Sequence, residues 1–164
     1  MGFQLTPARI AIGAVVAAVG WLIWRSNMKK KVFISYDHSE DARYKNLLAA
    51  WDANTDFDFQ FDNRSPSEAI DSTDAGRVKA ALTAMMKSAE YLLVIVGSKS
   101  YTSKWMTWEI DRAKQPDVKL KLAGVKIDRN NTTPSGLLNV GTSWAYAFDR
   151  ETIVSALNGA KNNY

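Results

Sequence analysis

Apolar positions recur along this chain at two spacings, one of strands and one of helices. Lys31-VFIS-Tyr36 is a short apolar run that reads as a buried first strand. Tyr44, Leu47, Leu48 and Trp51 follow at i, i+3, i+4, i+7, the spacing of one helix face. Phe57, Phe59 and Phe61 alternate and predict a second strand, and Val78, Ala81, Leu82, Met85 and Met86 form the next helical stripe. Tyr91-LLVI-Val96 is wholly apolar, a third strand bounded by Gly97 and Ser98. A helix is predicted over Trp105–Lys114, with Ser103 placed to cap it and Pro116 disfavouring helical geometry in the residue ahead. Val118, Leu120 and Leu122 alternate with Lys119 and Lys121, and the phase then slips at Ala123-Gly124, which predicts a bulge in a less buried strand. A loop rich in Asn, Thr, Pro and Gly leads to a short aromatic strand near Trp144–Phe148 and a terminal helix from about Arg150. Strands alternating with helices imply a parallel sheet with helices on both faces and right-handed crossovers. No internal repeat interrupts it, so residues 31–164 read as one domain.

Residues 1–30 differ in kind. Ile10 to Trp24 is fifteen residues without a polar side chain, whereas a span needs ~20 residues to cross ~30 Å of hydrocarbon. Leu5 to Trp24 reaches twenty by including Thr6, Pro7 and Arg9. Arg9 can snorkel to the outer interface, and Trp21 and Trp24 suit the inner one. Arg25 and Lys29–Lys31 follow at once, so the positive-inside bias keeps the C-terminal domain in the cytoplasm. The expectation is a single-pass anchor in the inner membrane through residues 5–24. Translation from Met28 is the alternative, since MKKKVFISYD would open a soluble domain.

Removing this segment changes the charge balance. Residues 1–31 hold five of the 21 Lys/Arg and none of the 17 Asp/Glu, which leaves 16 basic against 17 acidic residues beyond them. The basic surplus belongs to the N-terminal cluster, which suits anionic lipid headgroups and gives no sign of a nucleic-acid surface. The chain has no cysteine and one histidine, His38, so disulfides, thiolate zinc sites and poly-His metal sites are excluded. No metal and no cofactor are expected.

Glu109 carries the candidate chemistry. It sits one helical turn after Trp105, beside the C-terminal end of the third strand, where open α/β sheets place their ligands. At ~100° per residue, Met106, Ile110 and Ala113 form the core stripe, while Trp105, Glu109 and Arg112 form a neighbouring one. Glu109 is thus expected to border a pocket without being buried, with Trp105 as an aromatic wall on the same face. Trp108 falls nearly opposite the core stripe, as a surface residue or an assembly contact. Asp37, Ser39 and Asp41 read equally well as caps of the helix that follows. A phosphate-receiving regulator would need an Asp where Gly97-Ser98 stands, and neither a Walker-type phosphate loop nor a G-x-G-x-x-G fingerprint occurs.

The segments VFISYDHSEDA, FDNRSPSEAIDS and SKSYTSKWMTWEIDRA, in this order and spacing, resemble TIR-like domains, in particular the subfamily typified by the second protein of Thoeris anti-phage systems. The resemblance runs from about Lys31 to at least Ile127 and leaves the anchor outside. It implies a flavodoxin-like sheet and cleavage of the nicotinamide–ribose bond of NAD, the substrate. The implied product is a cyclised ADP-ribose, a diffusible nucleotide that activates an effector protein. The family's catalytic glutamate matches Glu109. Ser35, Tyr36 and Asp37 after the first strand, with Ser98 at the same sheet edge and Trp105, are the implied substrate-binding set. The loop with Asp62, Arg64 and Pro66 matches the one that mediates self-association and gates the pocket, and Trp108 is a further assembly candidate. The competing reading is a TIR-like interaction module without catalysis, recruiting partners at the membrane. Deoxyribosyl transfer from a nucleoside would use similar carboxylate chemistry.

Overall fold

The computed structural model describes residues 29–53, 58–62 and 73–164. Five parallel strands form one sheet in the order β2-β1-β3-β4-β5, with β1 at Lys30–Ser35, β2 at Phe59–Asp62, β3 at Tyr91–Val96, β4 at Lys121–Lys126 and β5 at Ser143–Ala145. Among the described residues, four α-helices accompany them: α1 at Ala42–Asp52, α2 at Ala75–Lys87, α3 at Lys104–Ala113 and α4 at Arg150–Gly159.

Side chains alternate across the strands and build two cores. Val32, Ile34, Tyr36, Phe59, Phe61, Leu93 and Ile95 face α1 and α4, where Leu48, Ile153 and Leu157 meet them. Phe33, Leu92, Val94 and Val96 face α2 and α3 and pack with Leu82, Met86, Met106 and Ile110. All six residues of β3 are buried, as a central strand covered on both faces requires. The helical stripes are narrower than the sequence pattern implies. Leu48 is the buried residue of α1, while Leu47 is 47% exposed and Ala81 of α2 is also exposed. Tyr44 and Trp51 are half-buried and close on Phe148, with ring centroids 4.7 and 5.8 Å away.

The expected bulge in the fourth strand is absent. Residues 121–126 pair one-to-one with 91–96, and Leu122, Ala123 and Val125 are fully buried. A strand covered on both faces has no alternation to keep, so the slip at Ala123-Gly124 reflects two-sided burial. Gly124 pairs with Trp144, whose indole occupies the space a Cβ on Gly124 would need.

The domain reaches slightly further back than its first apolar residue. β1 begins at Lys30, whose ammonium lies over the Phe59 ring, and Lys29 already pairs with Asp52 at 3.0 Å. Lys29 is therefore committed to the fold rather than left for lipid. The proposed span 5–24, Phe57, Arg64 and Pro66 lie outside the described residues. Among the described residues, no helix is long and apolar enough to cross a membrane.

Candidate active site

The strand order reverses between β1 and β3: the chain leaves β1 toward one edge of the sheet and β3 toward the other. Loops diverge at such a point and leave a crevice at the carboxyl ends of the strands, where ligands of open α/β sheets bind. Ser35 ends β1 and Gly97-Ser98 follows β3, so both flank this crevice.

α3 brings Glu109 to the same place. Ser103 caps the helix as expected, its hydroxyl accepting from the Met106 amide. The opposite end is tied down by Arg112, which donates to both carboxylate oxygens of Asp117 at 2.7 and 2.6 Å and to Thr83 on α2. Lys87 of α2 pairs with the same Asp117 at 2.9 Å. Fixed in this way, α3 turns Glu109 toward the sheet beside Met106 and Ile110. Glu109 is only 4% exposed, which corrects the expectation that it would border a pocket without burial. At ~100° per residue it lies ~40° from Ala113, at the edge of the arc that α3 buries.

Burial raises the Glu109 pKa to about 8, and the neighbouring Ser35 hydroxyl opposes part of that shift. Ser35 is fully buried, and its Oγ makes no hydrogen bond of regular geometry to a described residue. The hydroxyl thus lies near the Glu109 carboxyl without a well-aligned hydrogen bond to it. Both groups keep hydrogen-bonding capacity that a ligand can use.

The remaining predicted residues divide between the two faces. Tyr36 points to the α1/α4 face, buried, with its hydroxyl 3.2 Å from His38 Nε2. Asp37 is half-buried and accepts from the amide and hydroxyl of Ser39, a turn that uses up its Oδ1. Neither Ser39 nor Asp41 caps α1, contrary to the capping expectation: Asp41 stands at the N-cap but makes no side-chain capping bond. Its carboxyl lies instead against Gly97, where a Cβ would overlap it. Asp41 is 3% exposed, and burial, then the nearby charges of Asp37 and Glu40, raise its pKa to about 6.

Ser98 is exposed and donates to Glu40, which also pairs with Lys99, so the loop after β1 is bound to the loop after β3. Beneath them, buried Ser100 accepts from the Gly97 amide at 2.8 Å and donates to the Ile95 carbonyl at 3.2 Å. Sequence reasoning did not single out Glu40, Lys99 or Ser100. The polar run from Asp37 to Asp41 was a signal, but its partners lie some sixty residues away.

Trp105 and Trp108 are both half-buried and pack edge-to-face, 5.9 Å between ring centroids. Trp108 is not a surface residue opposite the core: it leans on the α2/α3 core and lies under the Lys79 ammonium. Asp62 ends β2, two strands from Glu109, and lines a separate cleft of about 320 Å³ with Lys31, Gln60 and Ser88. That cleft lies away from the β1/β3 crevice and contains no residue of the Glu109 cluster. Among the described residues, no group of acidic or histidine side chains is arranged to hold a metal ion.

Residues 33–132 match the family model described as Thoeris protein ThsB, TIR-like domain. No curated protein matches the chain. Among solved structures, the TIR domains of the activated Roq1 resistosome directly recognizing the pathogen effector XopQ match with a TM-score of 0.39 and 13% identity, over 60% of this chain and 57% of that one. The chain therefore spans less than two thirds of the length of that relative.

Proposed function

Because the chain belongs to the Thoeris ThsB family of TIR-like domains, we propose that it cleaves the nicotinamide–ribose bond of NAD and cyclises the ADP-ribose that remains. The observation that supports this reading is the burial of Glu109 beside Ser35 at the strand-order reversal. Breaking the glycosidic bond sends its electron pair out with nicotinamide and leaves positive charge on the ribose. A carboxylate held in a site of low polarity opposes that charge more strongly than one in water. Carboxylates serve the same end in glycoside hydrolysis.

The raised pKa of Glu109 fits this role. A pKa raised to about 8 by burial favours the protonated carboxyl at neutral pH. Bound NAD brings the positive charge of its nicotinamide ring, and an opposite charge close by favours the ionised carboxylate. The group is thereby charged when substrate is in place. Ser35 orients it, Trp105 offers a face for a planar ring, and a nucleophile within the same molecule closes the ring in place of water.

In this reading the product is a diffusible nucleotide signal for an effector protein in anti-phage defence. Residues 5–24 hold the enzyme at the inner membrane with its domain in the cytoplasm, and self-association is part of its activation. The test is release of nicotinamide from NAD by the full chain, with product analysis by mass spectrometry. Absence of nicotinamide release by the full chain in phage-challenged cells would favour the non-catalytic interaction module.

A further inference from the structure

The Glu109 chemistry leaves a second buried acid at this edge of the sheet unused. Asp41 is 3% exposed, and its Oδ2 has no hydrogen-bond partner among the described residues. Gly97 makes the arrangement sterically possible, because any side chain there would occupy the space of the Asp41 carboxyl. The position is also electrostatically unfavourable, with Asp37 and Glu40 both adding negative charge nearby. An Asp at an N-cap ordinarily satisfies a free helix amide, yet this one does not. A buried polar group left unpaired lowers stability, and such groups persist where a ligand completes them.

The position relative to Glu109 indicates which ligand. Alternation along β1 and β3 puts Ser35 and Glu109 on the α2/α3 side of the sheet, and Tyr36 and the free side of Gly97 on the α1/α4 side. Asp41 and Glu109 therefore flank the β1/β3 crevice from opposite faces. We propose that Asp41 is a ligand-binding residue of this crevice, its carboxylate accepting hydrogen bonds from the vicinal hydroxyl pair of a ribosyl ligand. A carboxylate has the two acceptor oxygens that such a diol requires. The assignment rests on the NAD reading, since a dinucleotide carries two riboses and can engage both acids at once. Glu40, next to Asp41 in the chain, joins the loop after β1 to the loop after β3 through Ser98 and Lys99.

The test uses the full chain carrying Glu109→Gln to stop turnover, titrated with NAD by calorimetry. Adding Asp41→Asn is expected to weaken NAD binding by about tenfold or more, the usual loss for a hydrogen bond to a charged group. The thermal midpoint should not fall, because Asn keeps the size of the side chain and removes a charge that burial and the neighbouring Asp37 and Glu40 disfavour. Gly97→Ala keeps both side chains but displaces the Asp41 carboxyl, and the same loss of affinity is expected from it. Unchanged NAD affinity in either folded variant overturns the assignment and leaves the NAD reading standing. If the Glu109→Gln chain itself does not bind NAD, both fall together.

Discussion

Ser35, the last residue of β1, is buried beside the carboxyl of Glu109, which stands at the edge of the face that α3 turns to the sheet. The pair joins a strand end to a helix across the strand-order reversal, so its geometry depends on the fold as a whole. Glu109→Gln keeps the size and helix compatibility of the side chain and removes its charge. Nicotinamide release should fall by ~10²–10³ while the protein stays folded, the usual cost of losing one oriented electrostatic group. Ser35→Ala should lower the rate by less and raise the pH at which activity appears, because the hydroxyl holds the Glu109 pKa down. Full activity in Glu109→Gln, beside an active parent, would remove the residue from the mechanism.

The two raised carboxyl groups predict how stability depends on pH. Burial first, then Asp37 and Glu40, lifts Asp41 from 3.8 to about 6, and burial lifts Glu109 from 4.5 to about 8. In both cases the folded pKa exceeds the unfolded one, so the folded state binds more protons between those values. The stability these groups confer is present below the unfolded pKa and is lost as pH rises through the folded one. For Glu109 the loss is on the order of a few kcal/mol by full ionisation. Thermal midpoints measured from pH 4 to 9 should decline with rising pH, and Glu109→Gln should flatten the slope between 5 and 8. Activity should run the other way, rising as Glu109 ionises. A midpoint slope unchanged by Glu109→Gln would contradict the raised pKa.

The order of strands and helices was legible in the sequence because apolar runs and helical stripes are local signals. Glu109 was legible as a position, one turn past Trp105 and beside the end of a core strand. Its burial was not, because a helix wheel ranks faces without saying how much of the rim the sheet covers. Asp41 was read as a cap for the same local reason, since its actual neighbour, Gly97, is remote in the chain and has no side chain to notice. The slip at Ala123-Gly124 was read as a bulge because alternation is a signal only where one face of a strand meets water. Ser103, by contrast, caps α3 as its position implied, through a contact spanning three residues.

Trp105 and Trp108 touch edge-to-face and both lean on the α2/α3 core, but only Trp108 is covered by Lys79. Trp108 lies under Lys79 of α2, so Trp108→Ala should loosen the α2–α3 contact and lower the thermal midpoint. Trp105 lies one turn before Glu109, and Trp105→Ala should raise the KM for NAD. Stacking on an aromatic ring is worth ~1–3 kcal/mol per base in nucleic-acid binding, roughly a five- to 150-fold effect here. Parallel measurements of KM and midpoint separate the two roles. Equal losses of affinity in both variants would contradict the wall assigned to Trp105.

Gly124 is a packing requirement rather than a flexible point. Trp144 of the neighbouring strand lies where its Cβ would be, and both residues sit on the α2/α3 side. Gly124→Ala should therefore displace the indole and cost ~1–3 kcal/mol, the usual range for overpacking. Adding Trp144→Leu should recover part of that loss by vacating the space. Chemical denaturation of the three variants checks this, and a Gly124→Ala chain as stable as its parent would show that the strand pair can adjust freely.

The membrane proposal can be tested without reference to the chemistry. If residues 5–24 span the bilayer, the full chain should sediment with membranes and resist alkaline carbonate extraction. A chain beginning at Met28 should be soluble and keep the fold, because β1 starts at Lys30 and every described strand and helix lies beyond Met28. Charge is best removed at Arg25 and Lys31, since Lys29 pairs with Asp52 and its loss would also disturb the domain. Neutralising those two should weaken the retention of the C-terminal side in the cytoplasm, scored by protease accessibility in intact spheroplasts. A full chain recovered entirely in the soluble fraction, or a mature N-terminus at Met28, would overturn the anchor and leave the roles of Glu109 and Ser35 untouched.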